Sequence, residues 1–196
     1  LLMFHLKITL IEAFLGISTS IVLSLFVSIL MDRFSFINRS VYPLLIISQT
    51  IPTIALAPLL ILWFVYGMNS KIILIVISCF FPITISLLSG FACVDKDAIK
   101  LLHTLGATKN QILIYAKLPS SLPSFFSGLK ISVSYSIIGA VISEWLGGTR
   151  GLGVYMTRVK KSYSYDKLFA VIFLISALSL VLIKILSVLE KRIIKK

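Results

Sequence analysis

Five long apolar runs dominate this sequence: residues 8–30, 40–66, 72–93, 124–144 and 168–189. At about 1.5 Å of helical rise per residue, each run reaches roughly 30–40 Å, enough to cross a hydrocarbon core of about 30 Å. The runs are continuous rather than alternating with period two, which excludes a β-barrel as the main solution. The expected fold is therefore an all-α polytopic membrane protein, a bundle of about five transmembrane helices forming one domain over residues 1–196. Composition agrees. Only 13% of residues are charged and 58% are hydrophobic, whereas soluble domains carry about 25% charged residues.

The formal net charge is +12. The basic residues stand mostly between or beyond the apolar runs, which fits anionic lipid headgroups better than a nucleic acid. With 31–39, 94–123 and the tail from 184 placed in the cytoplasm, eleven basic residues face that side against seven opposite, Lys130 lying inside the fourth run. That is the expected bias, although 145–167 runs against it. Cys79 and Cys93 share the third run. On one helix they stand about 21 Å apart, too far to bridge, and read as inert buried thiols.

The second run, YPLLIISQTIPTIALAPLLILWFVYG, carries three prolines. Pro43 suits a helix start. Pro52 and Pro58 each remove a backbone donor and press on the preceding turn. A broken membrane helix is tolerated where protein or a water-filled cavity satisfies the freed carbonyls. This run is thus expected to be buried or to line a path, with Ser48, Gln49, Thr50 and Pro52 as path residues or as interhelical hydrogen-bonding groups. Tyr135 and Glu144 complete the candidate set for a small polar or aromatic solute.

Residues 95–118 differ from their surroundings. Ala98, Leu101, Leu102 and Leu105 follow i, i+3, i+4, i+7, one face of a short helix over 97–105. Asp95 and Asp97 favour its N-terminus, and Gly106 suits a C-terminal stop with positive φ. Thr108 and Gln111 have capping-box spacing and open a second helix. There Ile112, Tyr115 and Ala116 share a face, and Leu118-Pro119 ends it. Helices this short are marginal alone and need a partner surface, lipid headgroups or a cytosolic protein.

Several chemistries find no support. No G-x-x-x-x-G-K-[ST] phosphate loop is present. The glycines at 147, 148, 151 and 153 read as a tight turn. No metal-ligand spacing appears, and His5 and His103 are solitary. Of seven carboxylates, Glu12 lies near the start of the first run and Glu144 at the end of the fourth, neither at mid-membrane. Ion-coupled carriers commonly keep such a group deep in the bundle. Lys130 is close enough to the cytoplasmic end to snorkel. Energy is therefore expected to enter through 95–118, from outside the bilayer.

The segment Val94–Ser132, with SQTIPTIALAPLLILWF and GAVISEWLGGTRGLGVYM, resembles the permease subunits of binding-protein-dependent ATP-binding-cassette (ABC) importers. Gly106, Ala107, Leu118, Pro119, Pro123 and Gly128 fit that family's cytoplasmic loop. Where the family carries Glu-Ala-Ala, this chain has Lys100-Leu101-Leu102, reversing the charge. The resemblance implies a type I importer bundle (the MetI-like permease fold) in a bacterial inner membrane, with a cytoplasmic coupling helix. The coupling residues it implies are Asp97, Lys100, Leu101, Leu102, Leu105, Gly106, Ala107, Thr108, Gln111, Leu118 and Pro119. It also implies a separate ABC ATPase that binds the ATP and magnesium, an extracytoplasmic solute-binding protein, a second permease copy, and no cofactor or catalysis in this chain. Such permeases usually carry one more transmembrane helix before the first run, so one is expected to precede residue 1. Within the family the chain looks most like importers of thiamine-precursor pyrimidines, with sulfonate, nitrate and taurine importers as alternatives. An ion-coupled secondary transporter, or a structural membrane scaffold, is the reading from a different class.

Overall fold

A computed structural model of the chain describes residues 2–64 and 67–194. Val65 and Tyr66, the end of the expected 40–66 span, lie outside the described residues, as do Leu1, Lys195 and Lys196. The described chain is helical throughout, in the order α1 (Leu2–Arg33), α2 (Ser35–Thr50), α3 (Thr53–Phe64), α4 (Met68–Ala92), α5 (Lys96–Thr104), α6 (Lys109–Ile112), a π turn (Leu113–Lys117), α7 (Leu118–Gly147), α8 (Leu152–Lys161) and α9 (Tyr165–Ile194). Four spans are long and apolar enough to cross a membrane, and a fifth is added if the bent α2–α3 pair counts as one.

The core is the packing of α4 against α7 and α1. Ile17 of α1, Ile83, Leu87 and Phe91 of α4, and Phe126, Leu129 and Val133 of α7 form its inner half. Ala13, Ile75, Cys79, Ile137 and Ala140 form a second cluster toward the other end. Apolar area alone does not join helices in lipid, so close approach and interhelical hydrogen bonds matter more. Both are present. A Cβ at Gly128 would stand 2.7 Å from the Pro82 carbonyl oxygen, so only glycine lets α7 sit so near α4. Ser132 Oγ donates to the Cys79 carbonyl at 3.0 Å, and Cys79 Sγ donates to the Ser132 carbonyl at 3.2 Å. By contrast, α9 buries only Val171 among its described residues and exposes Phe173 and Leu180.

Ion pairs show which ends share a side. Lys117 pairs with Asp32 at the end of α1, and Lys130 with Glu190 near the end of α9. Residues 31–39, 94–117 and the α9 end therefore gather at one end of the bundle, as the basic-residue count groups them. The start of α1, the start of α4 and α8 occupy the opposite end, where Glu12 meets Lys71.

Several expectations need correction. Pro43 is not at a helix start but well inside α2. Of the other two prolines, only Pro52 breaks the run: α2 and α3 meet there at 102°, whereas Pro58 sits within continuous α3. The run is not buried, since only Leu45, Ala57 and Leu60 of α2 and α3 are. Cys93 is exposed at the end of α4, not buried. Leu118-Pro119 does not end the second loop helix. Residues Lys109–Gly147 form one 39-residue helical stretch. Pro119 has no N–H and would clash with a carbonyl of the preceding turn. The π turn widens the helix just before it, with Leu118 N–H donating to the Leu113 carbonyl five residues back. That extra residue also rotates Tyr115 away from Ile112: Ile112 is buried, while Tyr115 is 75% exposed.

Candidate functional site

The polar segment forms an elbow. Asp95 caps α5 by accepting the Asp97 N–H at 2.9 Å. Gly106 (φ 82°) ends it, with Gly106 N–H donating to the His103 carbonyl and Ala107 N–H to the Leu102 carbonyl. These paired reverse bonds satisfy the carbonyls left open at a helix end. Thr108 and Gln111 complete the capping box, Thr108 N–H donating to Gln111 Oε1 at 2.8 Å and Gln111 N–H to Thr108 Oγ1 at 3.3 Å. The turn between α5 and α6 is thus closed on both sides.

None of the α5 residues is buried. Leu101 and Leu105 are exposed, and Leu102, Leu105, Gly106, Ala107, Gln111 and Tyr115 border a shallow groove of about 260 Å³. Lys100 pairs with Asp97 at 2.9 Å on the outer surface, so the residue that reverses the family's charge is engaged within its own helix. Asp97 and Thr108 are likewise at the surface, while Leu118 and Pro119 begin α7 beyond the π turn. The elbow is tied to α1 through the Lys117–Asp32 pair and a hydrogen bond from Arg33 to Asn110. Through the helix from Lys109 it is continuous with α7, which packs along α4.

Of the candidate path residues, four come together. Ser48, Gln49, Pro52 and Tyr135 line a cavity of about 270 Å³ at the α2–α3 bend, closed behind by Ser78 and Gly139. Thr50 is not among them; it is exposed, and its hydroxyl donates to the Ile47 carbonyl at 2.8 Å. Glu144 is elsewhere. It is 1% exposed and belongs to a network at the far end of the bundle. Its Oε1 accepts from Thr9 Oγ1 at 2.7 Å, and its Oε2 accepts the Gly153 N–H at 2.6 Å. Thr9 Oγ1 also accepts the Leu152 N–H at 2.9 Å, and His5 Nδ1 accepts the Gly151 N–H at 3.0 Å. The first N–H groups of α8, which have no partner inside their own helix, are thus capped by α1 and α7.

Sequence reasoning missed His5 and Thr9, whose partners lie more than 130 residues away. The clustered glycines were the available signal. Gly151 has φ 117°, and a Cβ there would collide with the Glu144 carboxylate. Also missed was the buried pair of Glu12 Oε1 with Lys71 Nζ at 2.6 Å. Helix α1 begins at Leu2, ahead of the expected run, so Glu12 sits about 15 Å along it rather than near its start.

Comparisons with known proteins agree with the helical fold. Residues 11–195 match the model of the family described as "Binding-protein-dependent transport system inner membrane component". The formylaminopyrimidine transport permease protein ThiX of Halalkalibacterium halodurans is 43% identical over 176 residues, 90% of this chain and 70% of that one. Among solved structures, an amino acid ABC transporter crystallised with histidines superposes with a TM-score of 0.80 at 17% identity, covering 96% of this chain and 92% of that one. The MetNI methionine transporter in an inward-facing form gives 0.78 at 20% identity, over 100% of this chain and 95% of that one. At those identities the structures speak for the fold, the MetI-like bundle of type I importers, while the family match and the close relative fix the membership. This chain belongs to the binding-protein-dependent transport system inner membrane components, as a multi-pass permease subunit of an ABC importer.

Proposed function

We propose that the elbow at 95–118 is the contact for a separate ATP-hydrolysing subunit, and that the transported solute is a thiamine-precursor pyrimidine. The observation that carries the first part is the mechanical continuity of the elbow. The α5 face with Leu101 and Leu105 is uncovered, and the element it joins runs unbroken from Lys109 through the bundle to Gly147. A push on α5 reaches α7 through a closed turn rather than a slack loop. The Lys117–Asp32 pair makes α1 follow. Closure of two ATPase subunits, each holding ATP and magnesium, would then switch a pair of these chains between inward-open and outward-open states. A solute-binding protein delivers cargo to the end that carries α8. The chain supplies no catalysis; Ser48, Gln49, Pro52 and Tyr135 form the solute path at the α2–α3 bend.

The pyrimidine assignment follows the 43% identical relative, whose name specifies formylaminopyrimidine. A cavity bordered by Tyr135, Gln49 and Ser48 offers an aromatic face and amide and hydroxyl groups to such a ring. The test is reconstitution of the chain in proteoliposomes with its ATPase and binding protein. Uptake of labelled formylaminopyrimidine that requires ATP, and is not displaced by excess taurine, is expected. Uptake driven by an ion gradient without the ATPase would overturn the importer mechanism. ATP-driven uptake of taurine alone would overturn the substrate.

A further inference from the structure

A cavity of about 210 Å³ lies between the end of α1 and the elbow. Asp32 and Arg33 of α1, His103 of α5, Lys109 of α6 and Lys117 of the π turn border it, together with apolar residues such as Ile29. Among the described residues, Asp32 is the one carboxylate in that wall, and Lys117 already holds both its oxygens, at 2.6 and 2.8 Å. Arg33 gives one N–H to Asn110 and keeps the rest of its guanidinium donors. No carboxylate among the described residues pairs with Arg33, His103 or Lys109. All three side chains are exposed, so a ligand in the cavity can touch them. Positive groups drawn onto one cavity repel each other unless an anion joins them.

Depth and size narrow the choice of anion. The apolar run of α1 ends at residue 30, which puts Asp32 and Arg33 at the level of the lipid headgroups. Phe34 and Phe36 follow and are 49% and 80% exposed, an apolar surface beside the basic one. The volume is below the range of about 300–1,000 Å³ typical of sites for whole small molecules, and suits one group of a larger amphiphile. On α5, Ile99 and His103 border the cavity and stand about 200° around the helix from Leu101, so an ATPase seated on Leu101 leaves this side open.

We infer that this cavity is a site for a phosphate group, supplied by an anionic phospholipid of the leaflet on the elbow side. Basic pockets between membrane helices on the cytoplasmic side take anionic headgroups in this way. The Arg33 guanidinium offers paired N–H groups to the phosphate oxygens, Lys109 an ammonium and His103 a ring N–H. A choline headgroup brings the same phosphate with its own cation, which these residues repel. Because Arg33 is on α1, His103 on α5 and Lys109 on α6, the bound phosphate ties both short helices to α1. Its effect on transport rests on the elbow being the ATPase contact; the binding does not.

The test uses the complete transporter, ATPase included, in lipid nanodiscs that leave both faces accessible. The nanodiscs are phosphatidylcholine alone, phosphatidylcholine with phosphatidylglycerol, or phosphatidylcholine with inorganic phosphate in the buffer. Modification of single lysines by a soluble amine reagent is followed by mass spectrometry. Lys191, exposed at the same end of the bundle, reports the general effect of surface charge. Phosphatidylglycerol is expected to slow modification of Lys109 at least about fivefold relative to Lys191, and inorganic phosphate to have little effect. Arg33→Gln with His103→Gln is expected to abolish that protection. Asn110→Ala, which removes the partner of Arg33 but none of the cavity's basic groups, is expected to keep it. Equal rates with and without phosphatidylglycerol would overturn the site, whether Lys109 is open in both or already covered by the ATPase. So would protection that survives the Arg33→Gln, His103→Gln variant. Inorganic phosphate protecting as well as the lipid would overturn the lipid source. In proteoliposomes, solute transported per ATP hydrolysed is expected to rise with phosphatidylglycerol in the unmodified chain, and that dependence to be lost in the double variant. Protection of Lys109 with no lipid effect on transport would support the site and count against the coupling role of the elbow.

Discussion

Lys117 Nζ lies 2.6 Å from one carboxylate oxygen of Asp32 and 2.8 Å from the other, joining the last residue of the π turn to the end of α1. Both side chains are about four-fifths covered (21% and 20% exposed), so the pair is shielded more than a surface ion pair. With the hydrogen bond from Arg33 to Asn110, it is one of two polar links that join the elbow to α1. Lys117→Met and Asp32→Asn are expected to leave assembly with the ATPase intact and to lower solute transported per ATP hydrolysed several-fold. The exchange Asp32→Lys with Lys117→Asp is expected to recover much of the loss. A double-mutant cycle on transport measures this, with a coupling energy of about 1 kcal/mol anticipated for contacting residues. Additive losses would show that the two residues act independently.

Pro119 governs the orientation of the elbow. The π turn inserts one residue ahead of it, which offsets everything N-terminal by about 100° and 1.5 Å relative to a regular helix. Pro119→Ala supplies an N–H and removes the ring clash, so relaxation of Leu113–Lys117 to ordinary α-helix is expected. The bundle is expected to be at least as stable thermally, yet transport falls because Leu101 and Leu105 point elsewhere. Hydrogen exchange across 109–120 together with ATP-dependent uptake checks this. Full uptake alongside a relaxed helix would remove the π turn from the mechanism.

What the sequence revealed here follows from locality. The Gly106 stop and the Thr108–Gln111 box are set by residues within five positions of each other, and local rules found them; Asp95 was expected only to favour the α5 N-terminus by its charge, and it also caps it. The spans were legible because lipid demands long apolar runs. The Pro119 turn was misread because proline at the junction was taken as a terminator, when a continuous helix can absorb it by widening. The Glu12–Lys71, Lys130–Glu190 and Asp32–Lys117 pairs were invisible for a different reason. Each joins residues 59 or more positions apart, on helices whose relative rotation is set by tertiary packing, such as the close approaches at Gly16 between α1 and α4 and at Gly90 and Gly128 between α4 and α7. The path residues were half legible: the Pro52 break gathers Ser48, Gln49 and Tyr135, but Glu144 faces a neighbour that periodicity could not name.

Gly106 tests whether the elbow must be shaped or merely present. A Cβ there meets nothing within 4 Å, so a side chain is opposed only by the backbone at φ 82°. For a β-branched residue that strain costs about 1–3 kcal/mol. Gly106→Val is expected to reopen the α5–α6 turn, leave the melting of the spans within a few degrees, and reduce ATP-driven uptake about tenfold or more. Unchanged uptake with normal ATPase association would sink the coupling role of the hinge.

Gly151 presents the opposite case, because there the neighbour decides. A Cβ would enter the space of the Glu144 carboxylate, and φ is 117°. Glu144→Ala deprives the Gly153 N–H of its acceptor, a buried donor costing about 1–3 kcal/mol when left unpaired, and leaves the Thr9 hydroxyl only its longer bond to the His5 carbonyl. Glu144→Gln is expected to be milder. Its amide oxygen accepts from Gly153, its NH₂ donates to Thr9 Oγ1, and the Thr9 hydroxyl turns to the His5 carbonyl, 3.2 Å away. In detergent, thermal stability should therefore fall in the order wild type, Glu144→Gln, Glu144→Ala. Gly151→Ala is expected to be severe alone and distinctly less costly in the Glu144→Ala background, where the colliding carboxylate is gone but the backbone strain remains. The residual cost in that double variant measures the strain, and the difference between backgrounds measures the clash. Strict additivity of the two substitutions would show that Glu144 does not pack against the α8 turn as described.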